Sequence, residues 1–97
     1  MIETNGVHDS LVVVEGSHKL SGIAANGIRV VDGGHLYLHG MASRVTVDEG
    51  GTARIHGTVN DGLYNLGGDV EVHGTIHGGV HDLGDASTRI SPGAHVS

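Results

Sequence analysis

The sequence predicts an all-β chain that folds over residues 1–97 as a single-domain right-handed parallel β-helix, a β-solenoid of about five coils of 17 residues. Three observations carry this. Gly16, Gly33, Gly50, Gly67 and Gly84 are each 17 residues apart, and Gly34, Gly51 and Gly68 follow three of them. Downstream positions keep the same phase, giving Leu36, Ala53 and Val70, then Leu38, Ile55 and Val72, then His39, His56 and His73, then Gly40, Gly57 and Gly74. Within a coil, small and apolar residues take every second place, as in Val70, Val72, Gly74, Ile76, Gly78 and Val80, which is the period of a strand with one buried face. A repeat of this kind buries its apolar face only by stacking on its neighbours. Parallel crossovers favour the right-handed sense.

Residues 1–15 read as an irregular N-terminal cap or first coil, with Leu11 to Val14 as its strand. Residues 16–83 make four full coils. The first of them fits least well, because Leu20-Ser21-Gly22 is one place out of phase and the repeat recovers at Ile28 against Val45; bulges and corner insertions absorb such slips. The best match sets IHGTV at 55–59 over VHGTI at 72–76. An odd coil length requires one change of parity per turn, expected at the steps from Leu63 to Leu66 and from Val80 to Leu83, ahead of a glycine corner that needs positive φ. Residues 84–97 form a terminal coil interrupted by Ser91-Pro92-Gly93, where proline suits an edge because it donates no ladder bond. Helix is disfavoured by the frequent glycines and the β-branched apolar positions. The rival is an antiparallel barrel, for which Asn5-Gly6, Asn26-Gly27, Asp32-Gly33 and Asp61-Gly62 are hairpin signals, but hairpins have no reason to hold a 17-residue register.

Composition narrows the roles. The two aromatics are Tyr37 and Tyr64, so the core must be Val, Ile, Leu and Ala, which suits a narrow interior. A net charge of −6 with Lys19, Arg29, Arg44, Arg54 and Arg89 scattered argues against nucleic acid as a partner. The absence of Cys excludes disulfides, thiolate metal sites and cysteine nucleophiles and fits a reducing compartment. No apolar run approaches the length of about 18 residues that marks a membrane span, and no leader pattern opens the chain. The expected location is cytoplasmic.

Nine histidines are the most unusual feature. Parity places His39, His56 and His73 outward in one vertical file, with His77 and His81 on the next file. Neighbouring imidazoles at the coil spacing make His39, His56, His73 and His77 the candidate ligands for zinc or nickel, although stacking of like residues is equally what solenoids do. No cofactor is otherwise expected. Tyr37, Arg54 and Glu71 share an outward column, where the guanidinium would lie on the ring and pair the carboxylate, a candidate protein-interaction face. Glu15, Asp32, Asp48 and Glu49 precede glycine corners and would stack there as a calcium column, but the GGxGxD pattern of calcium-binding coils is missing and Asp before Gly-Gly is ordinary turn chemistry. His8-Asp9-Ser10 has the letters of a hydrolase triad, yet adjacent residues cannot converge on one reacting atom. No catalytic residue is assigned.

The stretches VEVHGTIHGGV (70–80) and ARIHGTVNDGL (53–63) resemble the bactofilin-type, polymer-forming solenoids, and the resemblance covers residues 33–97. It implies a right-handed β-helix that associates end to end. The expected function is a non-enzymatic structural or interaction protein, a scaffold that binds itself or a protein partner. The alternatives are an immunity protein that blocks a bacterial toxin through a compact acidic surface, and a metal-binding protein using the outward histidines.

Overall fold

The computed structural model describes residues 2–4, 6–8, 12–83 and 87–96, and every regular element among them is a strand. The first coil holds β1 (Ile2–Thr4), β2 (Val7–His8) and β3 (Val12–Val14). The second holds β4 (Ser17–Leu20), β5 (Ile23–Ala24) and β6 (Ile28–Val30). The third holds β7 (His35–Leu38), β8 (Met41–Ala42) and β9 (Val45–Val47). The fourth holds β10 (Thr52–Ile55), β11 (Thr58–Val59) and β12 (Leu63–Asn65), and the fifth β13 (Asp69–Val72), β14 (Thr75–Ile76) and β15 (Val80–Asp82). A last partial coil has β16 (Ser87–Ile90) and β17 (His95–Val96). Each strand pairs in parallel with its equivalents in the coils below and above, giving three sheets that run the length of the molecule: β1-β4-β7-β10-β13-β16, β2-β5-β8-β11-β14-β17 and β3-β6-β9-β12-β15. This is the β-solenoid that the repeat predicts.

The interval of 17 holds where the repeat is clearest, with Leu38 beside Ile55 and Ile55 beside Val72. Elsewhere the corners absorb insertions. Leu20 pairs with Leu38 across 18 residues and Ile2 with His18 across 16, which accounts for the slip in the second coil. Gly16 consequently lies level with Gly34, where its carbonyl accepts the His35 N–H at 2.7 Å, and it does not lie level with Gly33. Gly33 and Gly50 occupy the predicted positive-φ corner, at +81° and +84°, whereas Gly84 lies outside the described residues. The first coil, expected to be irregular, carries three strands in register with the second, Val7 beside Ile23 and Val12 beside Ile28; Leu11, Asp9 and Ser10 lie outside the described residues. Ser91-Pro92-Gly93 forms a turn closed by the Ala94 N–H on the Ser91 carbonyl, and it stretches the last interval of the second sheet to 20 residues, Thr75 to His95.

Aliphatic columns fill the interior: Leu20–Leu38–Ile55–Val72, Leu36–Ala53–Val70, Ala24–Ala42–Val59–Ile76, Ile28–Val45–Leu63 and Val14–Val30–Val47, none more than 1% exposed. Burial of one Leu, Ile or Val is worth about 1.5–3 kcal/mol, so these stacked side chains are the main source of cohesion. The corner between the first two sheets is a column of glycines. A Cβ on Gly22, Gly40, Gly57 or Gly74 would meet the carbonyl oxygen of the glycine one coil below, so the backbones approach there too closely for any side chain.

The parity change does not fall where the sequence placed it. Leu66 and Leu83 point outward, 39% and 49% exposed, and the buried residue is Asn65, stacked on Val47. The reason is a compensated slip. Asn60-Asp61-Gly62 is one residue longer than the equivalent Ser43-Arg44, and Leu66-Gly67-Gly68 is one shorter than Asp48-Glu49-Gly50-Gly51. Asn65 closes the shortened corner, its Oδ1 accepting the Gly67 and Gly68 N–H groups at 3.2 and 2.8 Å. Its Nδ2 donates to Thr88 Oγ1 at 3.2 Å, which leaves the buried amide satisfied on both sides.

Candidate functional site

His39, His56 and His73 each follow the first strand of a coil, at the corner where the chain turns away, and the register stacks them as predicted. The rings are 5.0 and 4.8 Å apart and lie within 6° and 5° of parallel. Ser21 and Ser91 hold the equivalent places below and above, since the His39 and Ser91 N–H groups bond the Leu20 and Val72 carbonyls as the His56 N–H bonds that of Leu38. Both nitrogens of His73 are engaged: Nε2 donates to Glu71 Oε1 at 2.5 Å and Nδ1 meets Ser91 Oγ at 3.0 Å. His56, in the middle, has its pKa lowered from the ordinary imidazole value by burial between its neighbours and by the positive charge that His73 and His39 would carry.

Two nitrogens on one zinc are at most about 4.2 Å apart, twice the bond length of about 2.0–2.1 Å. Parallel rings at 4.8 and 5.0 Å direct their lone pairs side by side. His77 is not brought to the file; it lies on the next corner, where its N–H bonds the Val59 carbonyl. Among the described residues no group of three or more His, Asp or Glu is arranged to hold a metal ion.

The Tyr37, Arg54 and Glu71 column is present and extends to Lys19 below and Arg89 above. The Arg54 guanidinium lies over the Tyr37 ring, 5.6 Å from its centroid, as expected. Glu71 pairs with His73 instead of Arg54. Arg89 turns to Asp69, Nη2 to Oδ1 at 2.8 Å. The carboxylates expected in one column divide between two: Asp32 and Glu49 hold equivalent places in adjacent coils, whereas Asp48 falls between Val31 and Leu66, and its Oδ2 accepts from Arg29 Nε at 3.1 Å. A second ring stack went unread in the sequence. His81 faces outward as expected but lies on Tyr64, ring centroids 4.7 Å apart, with the Arg44 guanidinium 5.1 Å from the Tyr64 ring. The signal was present in the 17-residue interval from Tyr64 to His81.

The upper end of the solenoid differs from its middle. Ile90 continues the Leu20–Leu38–Ile55–Val72 column and Val96 the Ala24–Ala42–Val59–Ile76 column, yet they are 49% and 37% exposed. Of the three remaining columns one ends in Val80 above Leu63 and two end in polar groups, Asp82 above Asn65 and Thr88 above Val70, with the Thr88 hydroxyl donating to Asp82. No helix among the described residues is long and apolar enough to cross a membrane. Comparison of the chain with family models, with curated proteins and with solved structures gave no match.

Proposed function

We propose that this chain is a non-enzymatic structural protein, a self-associating solenoid scaffold that joins copies through the open face of its last coil. One observation carries the reading. Two core columns run unbroken into the terminal coil, and their last members, Ile90 and Val96, stand half-exposed on strands paired on one side only. Covering them with another coil would bury apolar side chains and supply ladder partners to β16 and β17, which is how an unprotected sheet edge recruits a second chain. The resemblance of residues 53–63 and 70–80 to polymer-forming solenoids supports the same reading.

Light scattering across protein concentration tests it. The chain should gain mass as concentration rises, and Ile90→Asp or Val96→Asp should return it to monomer while circular dichroism keeps the β signature. A wild-type chain that is monomeric throughout would reject the scaffold and leave a role against a protein partner such as a toxin.

A further inference from the structure

The last partial coil, β16 and β17 with the turn between them, is attached differently from the coils beneath it. Thr88, Ile90 and Val96 hold the places of Val70, Val72 and Ile76 in the fifth coil and of Ala53, Ile55 and Val59 in the fourth. Those six lower residues are fully buried, whereas Ile90 and Val96 are 49% and 37% exposed. No residue from Thr88 to Val96 is buried, and the half-buried Ala94 is the other apolar group of this stretch that packs on the core. Among the described residues the third sheet ends at β15, so this coil is held along two sides. Polar side chains supply the rest. Asn65 Nδ2 donates to Thr88 Oγ1 at 3.2 Å, and the Thr88 hydroxyl donates to Asp82. Ser91 Oγ meets His73 Nδ1 at 3.0 Å. The Arg89–Asp69 pair is more than half exposed on both partners, where an ion pair contributes little.

We propose that residues 87–96 form a clasped cap that opens as one unit while the coils below it stay folded. Local opening is drawn from segments with few buried apolar contacts and exposed backbone hydrogen bonds, and this coil has both. Its parts release together because they are tied to one another. Asn65 and Asp82 hold Thr88 on β16, His73 holds the Ser91 turn that follows, and the Ala94 N–H closes that turn on the Ser91 carbonyl just before β17. Opening uncovers Val70, Val72 and Ile76 together with the upper edges of β13 and β14. The cap therefore decides which end the solenoid presents. Closed, its apolar members are the half-exposed Ile90 and Val96; open, they are Val70, Val72, Ile76 and Val80.

Amide hydrogen exchange tests this with matched reporters. The Ser91 and His95 amides bond the Val72 and Gly74 carbonyls at 2.8 and 3.0 Å, and two coils below the equivalent His56 and Thr58 amides bond those of Leu38 and Gly40 at 2.7 and 3.0 Å. The measurement is made residue by residue at a concentration where light scattering shows monomer, so that joining of copies does not cover the cap. After correction for intrinsic rates, Ser91 and His95 should share one opening equilibrium and exchange about 100-fold or more faster than His56 and Thr58. Thr88→Val keeps the side-chain shape but leaves Asn65 Nδ2 without its acceptor in the closed cap, whereas water meets that group once the cap opens. It should accelerate Ser91 and His95 together by about tenfold. Ile55→Val trims the buried column in the fourth coil, and it should accelerate His56 and Thr58 while leaving Ser91 and His95 unchanged. Equal protection at all four amides would overturn the proposal. So would Thr88→Val moving Ser91 alone with His95 already far faster, which is fraying strand by strand, or Ile55→Val accelerating the cap amides as much as the central ones.

Discussion

Replacing Gly57 by alanine should break the solenoid in its middle, whereas the same replacement at Gly93 should leave it intact. A Cβ at Gly57 would press on the carbonyl oxygen of Gly40, with the Gly40 and His39 carbonyl carbons 2.9 and 3.0 Å away. All three obstacles are backbone, so no side chain can swing aside. An ordinary carbon-to-oxygen contact is about 3.3–3.6 Å, and relief therefore requires the fourth coil to lift by more than about an ångström. The bonds that tie the coils there are Gly57 N–H to Leu38 and Thr58 N–H to Gly40, both 3.0 Å, and such a shift breaks them. Buried groups left unpaired cost about 1–3 kcal/mol per lost bond, so the two together cost about 2–6 kcal/mol. Whole-domain stability is about 5–15 kcal/mol, so the loss is large. Gly33→Ala meets nothing within 4 Å but must hold φ at +81°; a left-handed conformation costs a non-glycine residue about 1–2 kcal/mol. Gly93→Ala meets neither obstacle. Urea unfolding followed by circular dichroism should rank the three variants Gly57 worst, Gly33 intermediate and Gly93 close to wild type. Equal midpoints for Gly57→Ala and Gly93→Ala would refute the close-approach argument.

Three further outcomes follow from the same geometry. Asn65→Val would continue the aliphatic column but strip the Gly67 and Gly68 N–H groups of their acceptor; denaturant titration should show it less stable by about 1–3 kcal/mol despite the added apolar volume. The lowered pKa of His56 means that the unfolded chain binds the proton more readily than the folded one. Stability should therefore be intact above the unfolded imidazole pKa of about 6.5 and decline as pH falls from there through the folded value, and His56→Gln should flatten that decline in pH-dependent melting. Arg54→Gln removes the contact with Tyr37 at an exposed position and should cost no more than about 1 kcal/mol by urea titration.

The parts of the fold legible in the sequence are those where a coil keeps the same residue count between corners. Leu36, Ala53 and Val70, and Leu38, Ile55 and Val72, were readable as columns because the two intervals between them carry no insertion. The histidine file was readable for the same reason, being next in the chain. Asn65 was not, because an extra residue before β12 and a missing residue after it cancel in the overall period. The glycine series hides that exchange, and Leu66 looks like the better core residue until the corner is built. Which acid Arg54 or His73 would meet was also beyond the repeat. Register places Glu71 beside Arg54, but the corner turns His73 back toward the same carboxylate.

The two outward files on either side of this corner respond differently to charge, and the difference follows from what each stacks. The Lys19–Tyr37–Arg54–Glu71–Arg89 column separates its cations with a ring and a carboxylate, so no two permanent like charges are stacked neighbours. The adjoining column repeats one titratable group at 4.8–5.0 Å. Two full charges at about 4.8 Å repel by about 0.9 kcal/mol even at the dielectric of water. A lysine or arginine file would bear that repulsion at every pH, whereas imidazoles bear it only once protonated. Substituting His56 by lysine puts one permanent charge between two imidazoles, so the repulsion arises only once those neighbours are protonated. The melting temperature of His56→Lys should fall below that of His56→Gln in acid, with the gap narrowing in high salt as exposed charges are screened. Equal melting temperatures for the two variants in acid at low salt would show that the stacked rings carry no electrostatic coupling.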